Sequence, residues 1–76
     1  MTTITGARMR GIRLKLNMTT YAMAKAIGYA GKESSLDNQI RRLEGGNRKV
    51  PVCTARLLLM FEQHGVPKKF LNGGVQ

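Results

Sequence analysis

Asn38, Arg41 and Arg42 lie three and four positions apart, a spacing that puts them on one side of an α-helix. Their chemistry is that of hydrogen-bonded recognition. An amide pairs bidentately with the N6 and N7 edge of adenine, and a guanidinium forks onto O6 and N7 of guanine. Ser34 and Ser35, just upstream, add hydroxyls that reach either bases or phosphate oxygens. These five residues are the candidate base contacts. Thr19, Lys32, Arg48 and Lys49 are the candidate phosphate contacts, groups that hold a backbone without reading it. A charged helix face has an ordinary alternative explanation in solvation. The charge excess of this chain tips Arg41 and Arg42 toward an anionic partner.

That excess is large. The 76 residues carry 13 Lys and Arg against 4 Asp and Glu, a formal net charge of +9, which is self-repelling unless an anion is bound. Nucleic acid is the leading partner. Hydrophobic residues make up 42% of the chain, enough to oppose ordering entropy, so a disordered basic tail is excluded. A chain this short builds one core, giving a single domain over 1–76 with its core at about 7–65, and a segment 66–76 that either supports a dimer or frays. Cys53 and His64 are alone of their kinds, which leaves no disulfide framework and no closed zinc site; no metal and no cofactor are predicted. Cys53 is read as a small buried hydrophobe, and His64 by its place near a helix C-terminus. With no nucleophile beside a base, no paired carboxylates and no phosphate-cradling loop, no enzyme activity and no small-molecule substrate are expected. The longest apolar run, 57–61, is far too short for a membrane span, so a cytoplasmic location is expected.

The elements that position these residues follow from apolar spacing. Met9, Ile12 and Leu16 predict a first helix with Arg8, Arg10, Arg13 and Lys15 mostly off its inner face. Thr19 and Thr20 offer hydroxyl caps to a second helix, in which Met23, Ala24 and Ile27 share a face and Gly28 is the stop. Ser34 or Ser35 is expected to cap the third helix, whose Leu36, Ile40 and Leu43 turn inward while Ser34, Asn38, Arg41 and Arg42 turn out. Gly45 and Gly46 supply a left-handed stop, and a basic loop leads to Pro51. Pro51 suits the first turn of a fourth helix, 51–63, with Val52, Ala55, Leu58, Leu59 and Glu62 inward. Leu57, Met60 and Phe61 extend the apolar surface around this helix, so with Phe70 and Leu71 of a last short turn they are the candidate dimerisation residues. Residues 72–76 are expected to fray.

Three stretches carry a family likeness: Met9-x-x-Ile12-Arg13, Met18-Thr19-Thr20-x-x-Met23-Ala24-x-x-Ile27-Gly28, and Ile40-Arg41-Arg42-Leu43-Glu44-Gly45-Gly46-Asn47-Arg48. With Val50-Pro51 and Ala55-Arg56-Leu57-Leu58, the chain over roughly 9–65 resembles the lambda-repressor-like helix-turn-helix regulators, which include phage repressors, Cro proteins and xenobiotic-response-element-type regulators. The apolar-x-Arg-apolar-Glu-x-Gly ending of the third helix is the most specific of these motifs. One departure stands out. The stretch between Gly28 and Ile40 is longer than the family's minimal pattern, so either the turn is longer or the third helix begins earlier.

The resemblance implies an all-α domain of four to five helices and sequence-specific binding of double-stranded DNA. It further implies a homodimer on an inverted repeat, repression that often includes the regulator's own promoter, a phage or mobile-element setting, and a pairing of Glu44 with Arg13. Two-fold symmetry then sets the third helices about 34 Å apart, one turn of duplex. Two alternatives stay open. The charge also suits an RNA-binding or ribosome-associated module, and the spare apolar surface suits an antagonist that silences another regulator.

Overall fold

The computed structural model describes residues 3–71. Five helices follow one another: α1 Gly6–Lys15, α2 Thr20–Ala26, α3 Glu33–Glu44, α4 Val52–His64 and α5 Lys68–Leu71. Among the described residues there is no strand, and the chain is all-α. No helix there is long and apolar enough to cross a membrane. Residues 72–76 lie outside the described residues.

The helices start and stop where side chains and backbone satisfy their free polar ends. The Thr5 hydroxyl accepts the Arg8 N–H at 3.1 Å, and the Thr19 hydroxyl accepts the Ala22 N–H at 3.0 Å. Three successive helices end alike, on a left-handed residue: Asn17 at φ 57°, Gly28 at φ 100° and Gly46 at φ 84°. In each, that residue and the next donate back into the last turn. Asn17 and Met18 bond the carbonyls of Leu14 and Arg13; Gly28 and Tyr29 bond those of Lys25 and Ala24; Gly46 and Asn47 bond those of Leu43 and Arg42. These are Schellman closures, which satisfy carbonyls that would otherwise be orphaned.

The core is built from helical spacing on four elements. Met9 and Ile12 of α1, Met23 and Ala24 of α2, Leu36 and Ile40 of α3, and Ala55 and Leu58 of α4 are fully buried. Helix α2 packs chiefly on α3, α1 packs on both α3 and α4, and α5 rests on α2. Gly6 makes the α1–α3 junction possible: a Cβ there would sit 2.2 Å from the Leu43 carbonyl oxygen and 2.6 Å from that of Glu44. The positive N-terminus of one helix thus meets the last carbonyls of the other.

Four local expectations are corrected. Helix α3 starts at Glu33 on an N-cap Lys32 that offers no side-chain bond, so Ser34 and Ser35 are not caps but exposed residues of its first turn. Pro51 is the extended N-cap of α4, one position before the first helical residue. Cys53 is exposed, because it falls on the side of α4 opposite Leu58. Phe61, expected on the outer side, is only 2% exposed and meets Phe70 edge-on, ring centroids 5.9 Å apart. Its position three residues after Leu58 keeps it on the core side of the helix.

Candidate nucleic-acid interface

With Leu36, Ile40 and Leu43 fixed inward, the opposite side of α3 is wet. Ser34, Ser35, Asn38, Arg41 and Arg42 are all exposed there. Arg42 forms no ion pair among the described residues, whereas Arg41, with its side chain 71% exposed, donates from Nε to Asp37 Oδ2 at 2.8 Å. The other oxygen of Asp37 accepts a hydrogen bond from the Thr20 hydroxyl. One carboxylate therefore joins the first residue of α2 to the outer face of α3. The Thr20 hydroxyl, and then the Arg41 guanidinium, hold the Asp37 carboxyl below its ordinary pKa.

Behind this face, Arg13 and Glu44 form a bidentate pair, Nε to Oε2 at 2.7 Å and Nη2 to Oε1 at 3.1 Å. Their side chains are only 12% and 7% exposed, and Arg13 Nη1 also donates to the Met18 carbonyl at 2.9 Å. The pair locks the end of α3 to α1 and to the α1–α2 turn. On the far side, Glu62 of α4 receives both terminal nitrogens of Arg8, at 2.6 and 2.8 Å, with Lys15 at 3.7 Å. Those contacts, led by the Arg8 hydrogen bonds, lower the Glu62 pKa.

Three of the four acidic residues are thus engaged with arginines inside the molecule. Arg10, Lys32, Arg42, Arg48, Lys49, Arg56, Lys68 and Lys69 are exposed and form no ion pair among the described residues. An open cleft of about 520 Å³ brings Arg10, Thr19, Thr20 and Arg41 together above the Arg13–Glu44 pair. Thr19, one of the phosphate candidates, is therefore beside a base candidate. Arg48 and Lys49 stand elsewhere, with Thr3, Thr5 and Gly46 around a separate cleft of about 400 Å³, and Lys32 lines neither.

The dimerisation candidates divide. Met60 is 58% exposed on α4, Leu57 beside it is half-buried, Phe70 is half-buried against Phe61, and Phe61 is committed to the protomer's core. The side chain of Leu71 lies outside the described residues.

Sequence reasoning passed over Arg10, Thr20 and Asp37. Arg10 was read only as lying off the inner face of α1 and Thr20 only as a cap and motif residue; the fold alone brings α1 and the start of α2 to the same cleft. Asp37 was readable, as an acid four positions before an arginine is the favoured helical pairing. Compared with family models, curated proteins and solved structures, the chain matches none.

Proposed function

We propose that the protein is a sequence-specific double-stranded DNA-binding transcription regulator, a homodimeric repressor whose α2 and α3 act as a lambda-repressor-like helix-turn-helix. The observation that carries this reading is the outer face of α3. It is exposed along its length, carries Ser34, Asn38, Arg41 and Arg42, and adjoins a cleft holding Arg10 and Thr19.

In this reading α3 enters the major groove while α2 lies across the backbone. Asn38 reads adenine and Arg41 and Arg42 read guanine; Ser34 and Ser35 supply hydroxyls to bases or to the flanking phosphate. Arg10 joins Thr19 as a phosphate contact on one side, and Arg48 with Lys49 seats a second stretch of backbone. Lys32 lies at the head of α3 and meets phosphate near the groove edge. The outer face of α4 around Met60 and Leu57, with the neighbourhood of Phe70, joins two protomers so that their α3 helices fall about 34 Å apart on an inverted repeat.

Selection of bound duplexes from a random library tests the reading, because sequence and half-site symmetry emerge together. The expected result is an enriched inverted repeat whose log affinity falls with log salt by about 0.9 per neutralised phosphate. Enrichment of no duplex over random competitor overturns it. RNA that displaces the selected duplex at lower concentration also overturns it, since an A-form major groove excludes α3.

A further inference from the structure

Resting on that reading of α3, we infer that Asp37 is a positioning residue for base discrimination: it fixes the Arg41 guanidinium on the groove side and, through Thr20, indexes it to the helix that lies on the backbone. Asp37 accepts only the Nε–H of Arg41, at 2.8 Å. The two terminal amino groups stay free, and they are the pair that forks onto guanine O6 and N7. An isolated acid four positions before an arginine is a loose surface pair of small effect on stability. This one differs, because its second oxygen is held by Thr20 from another element. The carboxylate therefore carries an orientation set by α2, and an arginine that is 71% exposed is ordered before any ligand arrives.

The same carboxylate acts on affinity in the opposite direction. It places a negative charge on a face that must approach phosphates, in a chain that has only 4 acidic residues. Removing it strengthens binding to any duplex by one net charge. At about 0.15 M salt that amounts to about fivefold, from the 0.9 slope per phosphate. Discrimination and non-specific affinity therefore move apart when Asp37 is changed.

The test uses the duplex selected by the wild-type protein, the same duplex altered at the base pair whose preference vanishes in Arg41→Ala, and a random-sequence duplex. Asp37→Ala is expected to lower discrimination at that base pair by about tenfold while binding random duplex about fivefold tighter. Thr20→Val, which removes the second anchor and no charge, is expected to lower discrimination without the gain in random-duplex affinity that Asp37→Ala brings. In an Arg41→Ala background neither change is expected to alter discrimination further. The inference is overturned if Asp37→Ala weakens every duplex equally alongside a lower unfolding midpoint, or if its effect on discrimination persists without Arg41. A wild type that enriches a duplex while Asp37→Ala discriminates equally well defeats this inference alone. A wild type that enriches none defeats the underlying reading as well.

Discussion

A residue's neighbours decide whether its chemistry is available, and that divides residues of similar type. Arg13 and Arg41 are both paired, yet Arg13 is enclosed with Glu44 while Arg41 keeps its terminal nitrogens on an exposed side chain. A division of labour follows for the proposed interface. Asn38→Ala and Arg41→Ala are expected to relax preference at individual base pairs by about 1–3 kcal/mol, whereas Lys49→Ala weakens all duplexes alike and lowers the salt slope by about 0.9. Competition among single-base variants of a selected duplex separates the two classes, and a uniform loss from all three variants contradicts the assignment. The exposure of Ser34, Asn38, Arg41 and Arg42 was legible in the sequence, because three buried positions at helical spacing fix which side remains. What each does on that face was not. The bond from Thr20 to Asp37 spans 17 positions, and no local pattern announces it.

At the scale of elements, the legible features were those in which a residue acts on its own turn. The hydroxyl at Thr19 and the glycines at 28 and 46 mark helix ends through bonds closed within six residues, so composition and order suffice to find them. Asn17 closes α1 in the same way without glycine, and its short polar side chain tolerates the left-handed region. Gly6 was illegible, since its requirement comes from the carbonyls of Leu43 and Glu44 on a helix far along the chain. Gly6→Ala is expected to force α1 and α3 apart and destabilise the fold by about 1–3 kcal/mol, the range for overpacking against atoms that cannot yield. Urea denaturation measures it, and an unchanged midpoint would show that the junction is slack. The Arg13–Glu44 pair bolts the same two helices. Arg13→Ala leaves a carboxylate that is 7% exposed without its partner, with an expected cost of about 3 kcal/mol. Replacing both by apolar residues of similar volume, Arg13→Met with Glu44→Leu, is expected to cost less than Arg13→Ala alone. If the double variant is instead the less stable, the pair contributes net stability beyond relieving its own burial.

Across the whole molecule the acidic residues have a common use, visible only once the helices are in place. Asp37 ties α3 to α2, Glu44 ties α3 to α1, and Glu62 ties α4 to α1. A chain with net charge +9 thus directs three of its four acids to joints between helices, where each also offsets local repulsion between cations. The consequence is a definite sensitivity to acid. Asp37 and Glu62 have pKa values lowered in the folded protein, by the Thr20 and Arg8 hydrogen bonds first of all. A group whose folded pKa is depressed contributes stability that is fully present above its unfolded pKa and is lost as pH falls through the folded value. Stability is therefore expected to hold from neutrality down to about pH 5, then decline through the carboxylate range and below it, as the Asp37 and Glu62 contacts are lost and the net charge climbs above +9. Added salt should soften the decline by screening the repulsion among exposed cations. Thermal unfolding midpoints measured against pH at two ionic strengths check this, with Glu62→Gln expected to start less stable at pH 7 and to lose less on acidification than the parent. A variant that loses as much as the parent would place the acid sensitivity at Asp37.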